Sequence, residues 1–486
     1  MPANCGDLRL GIARASLWGA WHTTHRLADD IDVRVLVARL GSTTAAIAVC
    51  DLSTLWLDTC LRLRARLAEA LGTAPDRVGV FTTQNHGVPT EDRNVFDPAK
   101  LEAAFVAAAR DALARLAPVE MARVAVRPDP PLVYCRRVAF ERLGKFTFWF
   151  GFRLDAGGRP DCAPMMKKAL ARLSRGETYQ YRCPLGPGKR PGEEQSDWSP
   201  LPVPEPLWLP PADDEILQGL FFRTPDGRPV GSLLRYAAHP DAANHRDADW
   251  HSGDYPAYVR RRAEERFGGT ALFLTGPCGD QAPPFGEKSL AVAERIGRDL
   301  ADAALAALTR ADWATPRTLS AASPEVALRI RPDYPPSVDA AKQAVADLEA
   351  EIKAAAAAGR PVAEIKRLSD QWERHIGLAW DQHRSWTGLD LAGRAGQTIT
   401  WPLFVMRLGD AAIVGLPGEP FGRFSRDLRD QALGDALLVA EEANGYLSYI
   451  PTADEYDLGG YGPNAAIIGP DAEDAMLATL GDFLRP

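Results

Sequence analysis

Residues 33–51 read VRVLVARLGSTTAAIAVCD, and residues 78–90 read VGVFTTQNHGVPT. The first stretch is two apolar runs joined by a Gly-Ser-Thr turn, which predicts two neighbouring strands. An amphipathic helix over about 57–72 leads from it to the second stretch, a buried strand that ends in a polar loop. A strong Ala/Leu-rich helix follows over 99–116. This alternation of strand and helix predicts an α/β (α+β) domain built on a mixed sheet.

Working outward, residues 229–240 (PVGSLLRYAAHP) return to strand and again open into a polar loop. A helix over 255–266 then leads to a strand that runs into the Gly-rich TGPCGD. A final block reads strand (401–408), strand (411–416), PGEP, helix (420–434) and strand (436–441), then a loop rich in Tyr and Gly. Two segments interrupt the pattern. Residues 141–215 are crowded with Pro, Gly, Trp and charge and read as a loop-rich insertion, the kind of excursion that often forms lids. Within it FTFWFGFRL (146–154) reads as a core strand in preference to a substrate wall. Residues 336–386 read as an inserted helical hairpin broken at Gly359-Arg360-Pro361. The expectation is one catalytic domain over 1–486.

Composition narrows the function. The chain is 46% hydrophobic and 25% charged, with a formal net charge of −8. That balance argues against a nucleic-acid binder or an anionic-membrane binder, which show a basic excess on one face. The run Arg260, Arg261, Arg262 is followed at once by Glu264 and Glu265 and reads as a solvated helix face. No apolar stretch approaches the length of a membrane span, and no secretory leader is read at the N-terminus. The seven cysteines (5, 50, 60, 135, 162, 183, 278) form no CxxC pair, so a reducing cytoplasm is the expected setting.

Catalytic zinc needs about three nitrogen or oxygen ligands and an open position. Two of the eight histidines, His86 and His239, terminate apolar strands in QNHGVP and AAHPDAAN. Glu419, in LPGEP, adds a carboxylate at a strand-to-helix junction. Read alone, each also fits a structural part: a hydrogen-bonded histidine, or an acid favoured by the helix dipole. The stretch NGYLSYIPTADEYDLGGYGPN places four tyrosines in loop positions, more than packing alone explains.

These blocks resemble the catalytic domain of the neutral/alkaline ceramidases, zinc amidases that cleave the N-acyl bond of ceramide. QNHGVP resembles the family's His-Thr-His-Ser-Gly-Pro loop and puts a metal histidine on His86. YAAHPDAAN followed by HSGDYPAY resembles the second metal loop, implying His239, with Ser252 and Asp254 trailing it. The Leu-Pro-Gly-Glu element is unaltered and implies Glu419. YIPTADEY resembles Tyr-Val-Thr-Thr-x-Glu-Glu-Tyr and implies Tyr449 as a metal tyrosine, with Tyr461 at the family's spacing as a second active-site tyrosine. Arg136, in YCRRVAF, corresponds to an active-site arginine.

Three departures weaken ceramide as the substrate. GDQAPP puts Ala282 where the family's Gly-Asp-Val-Ser-Pro-Asn loop has a serine. No C-terminal Ig-like domain and no leader are expected. The expectation is therefore a zinc-dependent hydrolase of an amide or ester in a small polar molecule, with Zn(2+) on His86, His239, Glu419 and Tyr449. Tyr461 and Arg136 would stabilise the oxyanion, and Asp280 or Asp254 would act as base. A metal-activated water needs no side-chain nucleophile, so the lost serine does not abolish such chemistry. Cys278 lacks an identifiable histidine partner in sequence and reads as a small buried residue. His22, His25, His245 and His251 read as surface or rim residues, and His375 and His383 as solvated or interfacial. Expected partners are a small-molecule substrate and, through the inserted helices, a second copy; no nucleic acid and no stable membrane insertion are expected. A non-catalytic metal-stabilised binding protein and a true ceramidase are the alternatives.

Overall fold

Residues 32–50 form an antiparallel pair of strands, Asp32–Leu40 and Thr43–Cys50, as the Gly-Ser-Thr turn dictates. The computed structural model describes residues 7–21, 25–88, 91, 96–147, 153–154, 160–161, 163–179, 207–243, 249–284 and 288–484. Their fold is mixed α/β, in agreement with the sequence. The first sheet has five strands in the order Val78–Thr82, Thr43–Cys50, Asp32–Leu40, Arg9–Ser16, Ala117–Pro118. The second runs Thr270–Thr275, Pro229–Tyr236, Leu217–Arg223, Glu120–Val126, Trp313–Ala314. A four-stranded third runs Leu319–Ala322, Phe404–Leu408, Ala411–Gly415, Leu437–Ala440.

Strand Asp32–Leu40 is buried on both faces, which is why it is mostly apolar rather than alternating, its buried Arg34 being paired with Asp32. Val33, Val35 and Val37 meet Leu63 and Leu67 of helix α1 (Leu57–Leu71) and Phe105 of helix α2 (Pro98–Ala114). Leu36 and Ala38 point the other way, toward Leu220, Leu233 and Leu272 of the second sheet and Phe404 and Met406 of the third. Helix α2 starts where it does because the Asp97 carboxylate accepts from the Ala99 and Lys100 amides and Pro98, with no N–H, needs no acceptor.

Helix α3 (Ala163–Ser174) lies inside the segment read as loop-rich, so that expectation is corrected in part. The bulk of that segment, and the centre of FTFWFGFRL, fall outside the described residues. Helices α4 (Asp254–Arg266) and α5 (Leu290–Leu308) cover the outer face of the second sheet through Tyr255, Val259, Ile296 and Leu300. The hairpin is real: α6 (Val338–Ala357) and α7 (Val362–Ala379), followed by α8 (Gln382–Thr387). It is not an appendage. Its Ile365, Trp372 and Ile376 share one core with Val405, Val414 and Val439 of the third sheet. For the same reason His383, expected to be solvated or interfacial, is buried within the fold at 2% exposure, with Nδ1 2.7 Å from the Tyr334 hydroxyl. Helices α9 (Gly422–Gln431), α10 (Tyr461–Ala465) and α11 (Ala472–Leu484) complete the described set. No described helix is long and apolar enough to cross a membrane.

Candidate functional site

Each of the three sheets contributes a parallel strand pair: Thr43–Cys50 with Val78–Thr82, Pro229–Tyr236 with Thr270–Thr275, and Ala411–Gly415 with Leu437–Ala440. The loops leaving the C-terminal ends of these strands meet. The His86 amide donates to the Pro240 carbonyl (3.1 Å), Glu441 N to Thr275 O (2.9 Å) and Gly279 N to Pro420 O (3.0 Å). Carboxyl ends of parallel strands are where open α/β sheets bind ligands. Several loop residues here have left-handed backbones without being glycine: Gln84, Asp254, Glu442, Asn444 and Ser448, with φ between 55° and 68°. Such strain persists only where surroundings enforce it, and it gathers at functional sites.

His86 and His239, the two strand-end histidines, face each other with Nε2 to Nε2 at 2.8 Å. Burial holds both imidazoles below their usual pKa, His239 more strongly, so both are neutral near pH 7. Glu419 follows the turn after Ala411–Gly415 and opens a two-residue strand, Glu419–Pro420, parallel to Tyr449–Ile450. Glu419 and Tyr449 are direct partners in that register. Glu419 Oε2 lies 3.9 Å from His239 Nδ1 and 3.8 Å from Arg136 Nη2. Burial, then Glu419, pushes the Tyr449 phenol well above its usual range.

Arg136 is fixed by the loop after Thr270–Thr275. Its Nη2 donates to Gly279 O (2.8 Å) and to the Tyr449 hydroxyl (3.1 Å), and its own amide donates to Asp280 O (2.7 Å). Tyr461, the first residue of α10, meets the Tyr449 ring edge-on at 5.2 Å. Five expected residues, His239, Glu419, Tyr449, Tyr461 and Arg136, therefore form one contiguous cluster with His86.

The two candidate bases stand differently. Asp280 Oδ1 accepts from the Gly422 amide (2.7 Å), and burial raises this acid to about 6. Asp254 is raised to about 7 by burial, but both its oxygens accept from backbone amides, Ala243 (2.6 Å) and Tyr255 (2.6 Å). That pairing clips the His239 loop onto α4. Ser252 Oγ donates to Asp29 (2.5 Å). Ala282 is buried and pairs with Tyr134 in a short antiparallel bridge. His251, expected at the surface or rim, is instead buried, with Nδ1 3.2 Å from the Gly87 carbonyl; His22 and His245 lie outside the described residues.

Several residues escaped the sequence reading. The Tyr446 hydroxyl donates to Glu419 Oε1 (2.7 Å). Glu441, directly after Leu437–Ala440, accepts from the Cys278 amide (2.9 Å) and thiol (2.8 Å). Cys278 does have a histidine neighbour: its Sγ is 3.7 Å from His239 Nδ1. Burial, then the neighbouring Glu441, lifts the thiol well above its usual range, so it is no thiolate nucleophile. Asp241, whose charge acts on His86, pairs with Lys288. A carboxylate at a strand end, as at Glu419, was the signal that Glu441 also carried.

Among the described residues, no group of three or more His, Cys, Asp or Glu side chains is arranged to hold a metal ion by itself. The donor chemistry nevertheless fits zinc. Two neutral imidazoles present their Nε2 atoms to each other, and a phenol stands beside a carboxylate. Glu419 Oε2 is buried with no hydrogen-bond partner, a group that ordinarily requires one.

No protein-family model matches this sequence, and no curated protein sequence does. The fold is similar to the crystal structure of neutral ceramidase from Pseudomonas aeruginosa, at a TM-score of 0.61 and 15% identity, covering 99% of this chain and 75% of that one. It is also similar to a structure described as a ceramidase complexed with C2, at a TM-score of 0.60 and 15% identity, covering 99% and 76%. The chain thus has a neutral-ceramidase-like fold.

Proposed function

We propose that this neutral-ceramidase-like fold carries a zinc-dependent hydrolase that cleaves the amide, or ester, bond of a small polar molecule. One observation carries the reading: the facing Nε2 atoms of His86 and His239, with the buried Glu419 Oε2, which makes no hydrogen bond, 3.9 Å from His239 Nδ1. His86, His239, Glu419 and Tyr449 are the ligands in this reading. Bound there, zinc supplies a Lewis acid that polarises a carbonyl and lowers the pKa of water to about 7. The chain supplies the rest. Tyr461 and Arg136 donate to the carbonyl oxygen as it gains charge, and Arg136 is already oriented by Gly279 O, so it needs no rearrangement. Asp280 takes the proton from water; Asp254 is the second candidate, disfavoured because both its oxygens are bonded to amides. The partners proposed are a small-molecule substrate and a second copy of the chain, without nucleic acid or membrane insertion, in the cytoplasm.

The test is turnover of acyl p-nitroanilides and p-nitrophenyl esters by the zinc-loaded protein. Turnover lost on chelation and restored by zinc supports the reading; no turnover, or turnover indifferent to chelation, refutes it. Ala282 favours a second reading, a metal-stabilised binding protein without catalysis, for which zinc binds but no substrate turns over. The fold favours a third, ceramidase itself, which requires fatty-acid release from a short-chain fluorescent ceramide in detergent.

A further inference from the structure

Helix α7 carries Lys366, Asp370 and Glu373 at spacings of four and three, one stripe along its side. Charged residues at such spacing ordinarily form a solvated face. Here the stripe is buried, with exposures of 2%, 6% and 2%. What it meets is the chain that enters and forms α10. Asp370 Oδ1 accepts from the Gly460 amide (3.2 Å) and from Asn464 Nδ2 (2.9 Å), and Glu373 Oε2 accepts from the same Nδ2 (2.8 Å). Lys366 Nζ pairs with Asp370 Oδ2 (2.7 Å) and reaches the Leu458 carbonyl (3.4 Å). A Cβ on Gly459 would collide with the Asp370 carboxylate and the Lys366 ammonium, so the loop lies directly on the stripe.

Gly460 and Asn464 bracket Tyr461. The helix that Gly460 precedes and Asn464 belongs to, Tyr461–Ala465, has five residues, too short to hold itself by its own hydrogen bonds. Its other supports include Phe421, against which Gly462 is seated, the Ser448 hydroxyl, which donates to Ala465 O (2.8 Å), and Arg331, whose Nη1 donates to Pro463 O (3.0 Å). Two carboxyls withdrawn from water are destabilising unless they are hydrogen-bonded; beside Gly460 and Asn464, the Tyr179 hydroxyl donates to Asp370 Oδ1 (2.9 Å) and to Glu373 Oε2 (3.4 Å).

We propose that Asp370 and Glu373 are positioning residues for the hydrolysis: by holding Gly460 and Asn464 they set the short helix that places Tyr461 beside Tyr449. This rests on the part given to Tyr461 under Proposed function. It makes the hairpin part of the frame of the site.

The experiment uses full-length Asp370→Ala, Glu373→Ala and Glu373→Gln. Backbone hydrogen exchange over 459–465 in metal-free protein should quicken at least about tenfold in the alanine variants. Exchange over 404–421 and 437–450 should stay unchanged, and Glu373→Gln, which keeps an acceptor for Asn464, should restore protection. On an acetyl p-nitroanilide, kcat should fall with KM unchanged, and adding Tyr461→Phe to Glu373→Ala should lower it no further than Tyr461→Phe alone. Unaltered exchange over 459–465, or losses that multiply in the double variant, would overturn the proposal. If Asp370→Ala fails to fold, Glu373→Ala and Asn464→Ala decide the same question. A wild type without turnover refutes the hydrolase reading, while the exchange measurement still decides whether α7 anchors α10.

Discussion

Glu419 and Tyr449 stand opposite each other in a two-residue parallel pairing, so main-chain register, not a chance meeting of long side chains, sets the separation of the two proposed ligands. Neighbouring strands lie about 4.8 Å apart. The pairing is tied in turn to the Cys278–Asp280 loop, because the Gly279 amide donates to Pro420 O.

Gly279 is the point at which that tie is most sensitive. A Cβ there would come within 2.5 Å of the Glu419 carbonyl oxygen and 3.1 Å of the Phe421 ring. Gly279→Ala should weaken zinc binding at least about tenfold while costing roughly 1–3 kcal/mol of stability, the usual range for overpacking. Calorimetric zinc titration alongside denaturant unfolding checks this; wild-type affinity in the variant would remove Gly279 from the account.

Glu441 acts on His239 through Cys278, whose amide and thiol it both accepts. Partners behind a metal ligand typically contribute 10–100-fold in affinity. Glu441→Gln should therefore lower zinc affinity by about that factor with little change in fold. Competition against a chromophoric chelator measures it directly.

Glu373 gives the pH dependence of stability a definite sign. Burial raises its acid to about 8, above the ordinary value of about 4.3. The contribution of the protonated form is complete below about 4.3, declines as pH rises, and is gone above about 8. Glu373→Gln is neutral throughout. The variant should match the wild type near pH 4 and exceed it by up to about 5 kcal/mol at pH 8.5. Equal stability of the two proteins at pH 8.5 would contradict a buried, protonated Glu373.

Arg136 donates through a planar fork to Gly279 O, beside the Tyr449 hydroxyl and Glu419, a geometry that an ammonium cannot copy. Arg136→Lys should keep zinc but lower kcat about 100-fold, as loss of one oxyanion donor does. Kinetics on metal-replete variant protein would show whether zinc content and turnover separate in this way.

What the sequence revealed and what it hid follow from burial. The strands within 33–51 are mostly apolar on both faces because helices cover one side and two sheets the other, so they announce two buried strands. His86, His239 and Glu419 stand out because each ends such a run in turn-forming residues. Strand Arg9–Ser16 was not expected, since Arg9 and Arg14 interrupt its apolar face at exposed positions. Glu441, at the end of an expected strand, and Tyr446, in a loop without periodicity, were passed over because their parts are decided by contacts with Cys278 and Glu419. Lys366, Asp370 and Glu373 have the spacing of a solvent face, and residues 458–464 together with Phe146 and Tyr179, all distant in sequence, cover them.

The central claim is that His86 and His239 hold a metal ion, and metal analysis of the purified full-length protein tests it most directly. The account predicts about one zinc per chain, removable by chelation and lost in both His86→Ala and His239→Ala. A folded wild type that binds no zinc when it is supplied, or a His86→Ala variant that retains it, would contradict the account.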